Sequence, residues 1–200
     1  MCTISLQINN VNKKYGKKNI IIDINITLIN TFVNIVIGEN GSGKSTLIKC
    51  INNLINYEGT IVNNENISYF PEKINLPKNL KVIDFLNLII KCKKEVRKIP
   101  LDYFIEKFKL SSHMNKKIKE ISLGTKQKIL LIQTLIEDAS IYIFDEPLNG
   151  LDDEMSKILI EELIKLHQQN KMLIIVSHDY KRLTFDSVRI IEIKEGRVNG

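Results

Sequence analysis

Hydrophobic and polar residues alternate over two stretches near the start of the chain, a pattern typical of strands with one buried face. The first stretch covers residues 3–9 and the second covers residues 20–28, where every other position is isoleucine or leucine. Residues 10–18 between them are mostly polar and include a Tyr-Gly pair, so we expect a turn there. The pattern thus predicts two amphipathic strands joined by a polar turn.

Three later stretches are almost continuously apolar, namely residues 32–37, 141–144 and 173–176. Short apolar runs of this kind predict strands that are buried on both faces, as in parallel sheets. Residues 59–62 and 67–70 have the composition of two short strands, which we expect to form an antiparallel edge of the structure.

Apolar residues also recur at helical spacing between these strands. The predicted helices cover residues 44–55, 82–91, 101–108, 124–136 and 153–167. Asp152 or Asp153 is expected to be the N-cap of the last helix, and residues 188–197 are expected to close the chain as a hairpin. Strands that alternate with helices predict an α/β fold with a mostly parallel sheet that is covered on both faces.

Prolines mark a change of pattern in the middle of the chain, around residues 73–120. Proline interrupts regular structure, and the helices predicted between these prolines are short. We expect this region to form a small helical subdomain inserted into a core of residues 1–72 and 121–200. The whole chain, residues 1–200, is therefore expected to be a single domain.

The composition of the 200-residue chain, 44% hydrophobic and 26% charged, is that of a soluble globular protein. No stretch approaches the roughly 18 to 20 apolar residues of a transmembrane helix, and the first residues do not resemble a signal peptide. Cys2, Cys50 and Cys92 are widely spaced and odd in number, which favours reduced thiols over disulfides or a metal site. We therefore expect a cytoplasmic protein.

The formal net charge is +6, and basic residues are concentrated over residues 91–119. Our first interpretation of this stretch is a solvated surface, and a docking surface for lipid head groups is the second. Nucleic acid is not an expected partner, because no interleaved aromatic residues or base-reading motif accompany the lysines.

The strongest chemical signal is the phosphate loop, which we define as residues 38–46. Its glycines, lysine and serine match the pattern G-x-x-x-x-G-K-[ST], in which backbone N–H groups turn inward toward a phosphate. The helix that follows adds unpaired N–H donors, the lysine can reach the β- and γ-phosphates, and the serine hydroxyl can ligate Mg²⁺. The residues predicted to bind a nucleoside triphosphate here are Gly38, Asn40, Gly41, Gly43, Lys44, Ser45 and Thr46.

Two later strands are each expected to end in residues with catalytic chemistry. Asp145 and Glu146 follow the apolar run 141–144, and His178 comes soon after the run 173–176. Asp145 fits a Mg²⁺ ligand, and Glu146 fits a residue that polarises the attacking water. Ligands bind at the carboxyl edge of α/β sheets, where His178 could donate a hydrogen bond to the γ-phosphate; a structural role for this histidine is an equal alternative.

Taken together, these residues resemble the nucleotide-binding domain of ATP-binding cassette (ABC) proteins over essentially the whole chain. Residues 122–128, Ser-Leu-Gly-Thr-Lys-Gln-Lys, occupy the place of the family signature, which is usually LSGGQ, and we call them the signature segment. Residues 149–152 resemble the D-loop, and His178 resembles the switch histidine. This ordered set is much more specific than the phosphate loop alone.

The resemblance implies a P-loop core whose nucleotide lies between two copies of the domain. Tyr15 corresponds to the aromatic residue that stacks on adenine, so ATP with Mg²⁺ is the expected ligand. Ser122 and the Gly124 amide would act in trans, on the nucleotide held by the partner's phosphate loop, and Asp152 of the D-loop is a further expected nucleotide-binding residue. The family thus implies a homodimer, or a heterodimer with a second ABC domain, that works on separate transmembrane subunits at the inner face of the membrane.

Two positions depart from the family pattern. Leu123 replaces the first glycine of the signature, where it either crowds the γ-phosphate or points away from it. Glu72 stands where the family usually has glutamine; it can still interact with Mg²⁺ or water, but it adds a charge. A glutamate at this place resembles cassettes that export lantibiotics and related bacteriocins or confer immunity to them.

These observations support one leading hypothesis and two alternatives. The leading hypothesis is an ATP-hydrolysing subunit of a transporter that exports a peptide or an antibiotic-like compound. The first alternative is a soluble ABC ATPase that acts on ribosomes or DNA, although the chain has neither two such domains nor a long coiled coil. The second is a small-molecule kinase, which would explain the phosphate loop but not the signature segment or residues 149–152.

Overall fold

The structure of the protein is a computed structural model that describes residues 3–199. Nine strands form within this range: Ser5–Tyr15 (β1), Lys18–Ile29 (β2), Val33–Ile37 (β3), Glu58–Val62 (β4), Ile67–Phe70 (β5), Ile141–Asp145 (β6), Met172–Val176 (β7), Val188–Lys194 (β8) and Arg197–Asn199 (β9). The α-helices of the same range are Lys44–Ile51 (α1), Val82–Cys92 (α2), Leu101–Lys107 (α3), Leu123–Leu135 (α4) and Asp153–Gln168 (α5).

The strands form two sheets. The central sheet has the order β5-β6-β7-β3-β8-β9, in which only β9 runs antiparallel to its neighbour. The second sheet has the order β2-β1-β4 and is entirely antiparallel. The predicted α/β class with a mostly parallel sheet and an antiparallel part is confirmed.

The central sheet separates two hydrophobic cores, because successive side chains of a strand point to opposite faces. In β6, Tyr142 and Phe144 join the core shared with α2 to α5. Ile141 and Ile143 of the same strand join the core shared with α1 and the antiparallel sheet. The apolar runs of the sequence are continuous because both faces of these strands are buried.

The predicted turn at residues 10–18 is wrong, because β1 continues to Tyr15 and the turn consists of Gly16 and Lys17 alone. Asn10 and Asp23 adopt left-handed backbone angles, with φ of 49° and 50°, where the pairing of β1 with β2 shifts register. Such bulges add a residue to one strand and keep the ladder continuous through polar sequence. They also break the alternation that the sequence showed in this region.

The two short strands β4 and β5 do not pair with each other as expected. β4 pairs antiparallel with β1 in the second sheet, whereas β5 pairs parallel with β6 at the edge of the central sheet. Residues 63–66 thus connect two different sheets. Sequence periodicity identifies a strand but not its partner, which tertiary packing determines.

The first helix ends four residues earlier than predicted. Asn53 adopts a left-handed φ of 53°, its N–H donates to the Cys50 carbonyl, and the Leu54 N–H donates to the Lys49 carbonyl. This pair of bonds is a Schellman motif, in which asparagine commonly takes the left-handed position. The apolar residues that follow Asn53 therefore lie outside the helix.

A polar cluster around the buried Glu162, formed with Tyr103, Lys107 and Lys165, joins α3 to α5. The side chain of Glu162 is only 1% exposed, and its Oε1 accepts from Lys107 at 2.7 Å, Tyr103 at 2.7 Å and Lys165 at 2.9 Å. Burial raises the pKa of this carboxyl, but the hydrogen bonds from Lys107, Tyr103 and Lys165 outweigh burial and lower it. The ionised carboxylate thus holds two helices together.

Several basic residues of the stretch 91–119 are not part of a solvated surface, so our first interpretation is wrong for them. Arg97 is buried, Lys93 pairs with Glu137, and Lys107 belongs to the polar cluster around Glu162. Lys109, in contrast, lies on the solvated surface, where it pairs with the exposed Glu154 of α5 at 2.6 Å. These contacts connect the middle of the chain to the C-terminal end of α4 and to α5.

Arg97 lies at the ends of two helices. Its Nη1 donates to the carbonyl of Leu135, the last residue of α4, at 3.2 Å, and its Nη2 donates to the side chain of Gln169, the C-cap of α5, at 3.4 Å. A cation is favourable at helix C-termini, where carbonyl groups lack partners. Arg97 therefore fastens the chain before α3 to both helices.

Replacement of Arg97 by alanine is expected to lower the free energy of unfolding by about 2 kcal/mol, because the buried carbonyl of Leu135 loses its donor. Lys98, which is exposed, is the matched control, and its replacement by alanine should change the free energy by less than about 0.5 kcal/mol. Urea unfolding of both variants measures the difference. Equal values for the two variants would contradict the role assigned to Arg97.

Within residues 3–199, no helix has both the length and the apolar character needed to cross a membrane. Cys50 is buried and Cys92 is exposed, and both are free thiols, whereas Cys2 lies outside the described residues. Burial raises the pKa of the Cys50 thiol to about 11, although the nearby Lys13 acts in the opposite direction. This thiol is therefore protonated at neutral pH.

Candidate functional site

The phosphate loop connects the carboxyl end of β3 to α1, as the sequence predicted. Gly38 and Gly43 have φ of 148° and 112°, which residues with a side chain rarely adopt. Helix α1 begins directly after Gly43. The ammonium group of Lys44 donates to the carbonyls of Gly38 at 2.8 Å and Glu39 at 2.9 Å. The lysine thus folds back over the loop, so its charge lies where a phosphate would enter.

A cavity of about 380 Å³ opens above this loop, and we call it the nucleotide pocket. Its volume is within the range of small-molecule sites. The structure brings together predicted residues from four separate parts of the chain. The residues lining the pocket are Tyr15, Lys18, Ile20, Asn40, Gly41, Gly43, Lys44, Ser45, Thr46, Glu72 and Glu146.

Asp145, the last residue of β6, lies next to Ser45 at the start of α1. The Ser45 hydroxyl donates to Oδ1 of Asp145 at 3.4 Å, and Asp145 is only 1% exposed. Burial raises the pKa of this carboxyl to about 6, and the charges of Glu72 and Glu146 act in the same direction, against the Ser45 hydrogen bond and the Lys44 charge. A buried carboxylate with so little compensation is well suited to a divalent cation.

Glu146 and His178 follow the neighbouring strands β6 and β7 and contact each other. Nδ1 of the His178 ring lies 2.9 Å from Oε2 of Glu146, and the backbone N–H of His178 donates to Oε1 at 3.2 Å. Glu146 has a left-handed φ of 54°, held by its N–H donating to the Val176 carbonyl at 3.0 Å. The carboxylate is thereby fixed at the pocket wall, while the histidine side chain is 60% exposed.

The signature segment is a helix N-terminus. Ser122 is the N-cap of α4, and its hydroxyl accepts from the Thr125 N–H at 3.2 Å. Leu123 projects outward with 70% of its surface exposed. Gly124 faces residues 149–152, since a Cβ on it would lie 3.6 Å from the Gly150 carbonyl. The segment and the D-loop therefore pack together.

Some predicted site residues are absent from the nucleotide pocket of the single chain. The predicted residues that are not among its lining residues are Gly38, Ser122, Gly124, Asp145, Asp152 and His178. Asp152 is instead the N-cap of α5, where its Oδ1 accepts from the Met155 N–H at 2.8 Å. This confirms the expected N-cap at one of the two aspartates that the sequence allowed.

Lys18 and Ile20 also line the pocket, and sequence reasoning did not single them out. They lie at the start of β2, directly after the two-residue turn that follows Tyr15. Tyr15 itself is half exposed, and the Lys13 ammonium lies 5.0 Å from its ring centroid. The sequence offers one signal for Lys18, which is a basic residue close to Tyr15 in the chain. It offers no signal for Ile20.

Known proteins resemble this chain over most of its length. Residues 21–149, more than half of the chain, match the ABC transporter family. An uncharacterised ABC transporter ATP-binding protein of Methanocaldococcus jannaschii is 30% identical over 196 residues, covering 96% of this chain and 75% of that protein. The zinc import ATP-binding protein of Psychrobacter cryohalolentis is 32% identical over 193 residues, covering 93% and 78%.

Solved structures show the same fold. A dimeric ATP-binding cassette in a post-hydrolysis state, bound to ADP and Pi, superposes with a TM-score of 0.84 at 22% identity, covering 98% of this chain and 97% of that one. At this identity the likeness concerns the fold, whereas the family follows from the sequence matches. This chain belongs to the ABC transporter family and is an ATP-binding, ATP-hydrolysing domain of it.

Proposed function

We propose that this chain is the cytoplasmic ATPase subunit that powers a transporter through separate membrane subunits. The observation that carries the proposal is the convergence of the phosphate loop, the Ser45–Asp145 contact and the Glu146–His178 pair at one edge of the central sheet. Parallel strands bring their carboxyl ends to the same edge, which is where α/β proteins bind ligands. The named relatives, which are transporter ATP-binding proteins, support this role.

The residues at this edge fit a magnesium ion together with the triphosphate. The described residues contain no group of three or more histidine, cysteine or acidic side chains that could hold a metal. Ser45, Asp145 and Glu72 would therefore supply only part of the ligand shell, as is usual for Mg²⁺ bound with nucleotide phosphates. The ion would neutralise developing charge on the phosphates when bound.

Several residues at this edge then have distinct tasks. Lys44 and the loop N–H groups bind and orient the phosphates, and Tyr15 stacks on the base. Glu146 accepts a hydrogen bond from the attacking water and aligns it with the γ-phosphate. His178 holds the Glu146 carboxylate in place and donates to the phosphate from its exposed ring.

We further propose that two domains combine head to tail, so that each nucleotide meets a signature segment from the partner. The absence of Ser122 and Gly124 from the pocket of one chain supports this arrangement. The N-terminus of α4 would bring its dipole to the γ-phosphate. The exposed Leu123 would then lie at the interface between the two domains.

The region 73–120 is proposed to act as a helical subdomain. Together with the loop of Glu72, it would receive the membrane subunit in a groove. Because Glu72 also lines the nucleotide pocket, occupancy of the pocket and docking of the partner would affect the same loop.

Two directions of transport are open to test. Glu72 resembles the glutamate of bacteriocin-exporting cassettes, and on this residue we propose export of a peptide or an antibiotic-like compound. Import is the second candidate, favoured by the 32% identity to a zinc import ATP-binding protein. Transport into or out of proteoliposomes that contain the purified complex distinguishes the two directions.

Affinity purification in mild detergent tests the transporter proposal. The tagged Glu146→Gln protein with ATP, which should hold the closed dimer, is expected to recover a membrane-spanning subunit in stoichiometric amount, identified by mass spectrometry. Wild-type protein without ATP is the control for state-dependent binding. Recovery of ribosomes, DNA or soluble proteins alone would refute the transporter role and favour the alternative of a soluble ABC ATPase.

A further inference from the structure

The hairpin of β8 and β9 does more than close the edge of the central sheet. Its two turn residues, Glu195 and Gly196, both have left-handed backbone angles, with φ of 50° and 79°. Two positive φ angles in succession define a type I′ turn, which matches the twist of the strands it joins. This turn lies against the outer side of the phosphate loop.

Gly196 connects the phosphate loop to the antiparallel sheet through its backbone. Its N–H donates to the carbonyl of Ser42 at 3.0 Å, and its own carbonyl accepts from the Ile22 N–H at 2.8 Å. Ser42 belongs to the loop, whereas Ile22 belongs to β2, the strand whose first residues line the nucleotide pocket. One residue therefore bridges two walls of the pocket without lining it.

The glycines of the phosphate loop fit closely against this hairpin and against β2. A Cβ on Gly38 would lie 2.2 Å from the Ile193 carbonyl oxygen. A Cβ on Gly43 would lie 2.8 Å from the Ile20 carbonyl oxygen and 3.8 Å from the Cα of Gly196. Both ends of the loop are thus in close contact with backbone atoms, which could accommodate a side chain there only if the backbone shifted.

Gly196 is under the same steric constraint. A Cβ on it would lie 2.5 Å from the Ile20 carbonyl oxygen, and its φ of 79° is already unfavourable for other residues. Glu195 beside it is exposed, whereas Gly196 is buried, although the φ of Glu195 is also positive. The close approach therefore belongs to Gly196 and not to the turn as a whole.

We propose that Gly196, within the turn of Glu195 and Gly196, is a positioning residue that orients the phosphate loop for the triphosphate. The Gly196 N–H holds the Ser42 carbonyl outward, which leaves the neighbouring loop N–H groups facing the pocket. Gly196 acts through the loop and touches no nucleotide. The inference concerns nucleotide binding, so it does not depend on the transporter partner.

Gly196→Ala tests this role, because the added methyl group displaces the turn from Ile20 and weakens its hold on Ser42. Loss of one buried hydrogen bond and its alignment corresponds to about a tenfold rise in dissociation constant. We expect that rise for ATP and equally for inorganic tripolyphosphate, which lacks the base and ribose. Isothermal titration calorimetry measures both constants, and hydrogen exchange of residues 39–43 reports the loop without ligand.

Glu195→Asn is the matched control, since asparagine tolerates the left-handed backbone and adds no contact to Ile20. It should raise neither dissociation constant. Gly196→Asn is a second test variant, which carries the same Cβ with less backbone strain and keeps the proposal testable if the alanine variant folds poorly.

Three results would overturn the proposal. The first is unchanged affinity for both ligands in the two Gly196 variants. The second is weaker binding of ATP with unchanged binding of tripolyphosphate, which would place the defect at the base. The third is an equal loss of affinity in Glu195→Asn, which would make the effect a general property of the turn.

Discussion

Replacement of Glu146 by glutamine should reduce the rate of ATP hydrolysis at least a hundredfold while ATP still binds. A positioned general base contributes about 10²- to 10⁴-fold to a rate, and glutamine keeps the shape of the side chain but not its charge. The contact with His178 at 2.9 Å fixes the carboxylate at the pocket wall. Phosphate release measures turnover, and fluorescent nucleotide titration measures binding.

Glu106→Gln is the control for this prediction, because it removes the same charge from an exposed site on α3. It should leave turnover unchanged. Size-exclusion chromatography of Glu146→Gln with ATP should also show a dimer, since the substitution blocks the step that reopens it. Turnover near the wild-type rate in Glu146→Gln would remove Glu146 from the catalytic step.

Replacement of Glu162 by alanine should lower the free energy of unfolding by about 3 kcal/mol at pH 7. The variant leaves the Lys107 ammonium, whose side chain is only 17% exposed, without its closest carboxylate. It also removes the acceptor of the Tyr103 hydroxyl. Glu161→Ala, at an exposed neighbouring position that contacts Lys107 at 3.3 Å, should cost less than about 1 kcal/mol.

The difference in free energy of unfolding between wild type and Glu162→Ala should decrease as the pH falls. The pKa of Glu162 is lower in the folded protein than in the unfolded chain, so its contribution is complete above the unfolded value, about 4.3. The contribution declines as pH falls through the folded-state pKa, where the carboxyl takes up a proton. Urea unfolding between pH 7 and pH 3.5 measures this, and a difference that grows as pH falls would contradict the assignment.

Much of this fold can be predicted from the chain, because the central strands carry their own signal. The runs 141–144 and 173–176 are apolar at every position, and both lie in buried strands in the structure. The antiparallel sheet was harder, since Asn10 and Asp23 form bulges in polar sequence. A bulge depends on pairing with another strand, which a local pattern does not contain.

The residues of the pocket were easier to identify than its supports. The phosphate loop, Asp145 and Glu146 have side chains whose chemistry is visible in the sequence, and the structure brings them to one edge. Gly196 acts through its backbone N–H and carbonyl, which every residue but proline carries. No residue type announces such a contact, so only the folded structure reveals it.

The end of α1 shows an intermediate case. Asn53 was a visible signal for a left-handed cap, but the apolar residues after it suggested a longer helix. Periodicity and capping chemistry gave conflicting indications there. The cap prevailed because it satisfies two carbonyl groups at the helix end.

The position of Ser122 and Gly124 outside the nucleotide pocket has a consequence for cellular economy. If each copy holds half of a catalytic site, free copies meet rarely at low concentration and consume little ATP. A membrane partner that binds two copies raises their effective concentration to the millimolar range for short connections. ATP hydrolysis would then be confined to assembled transporters, and the cell would need no separate inhibitor of unassembled subunits.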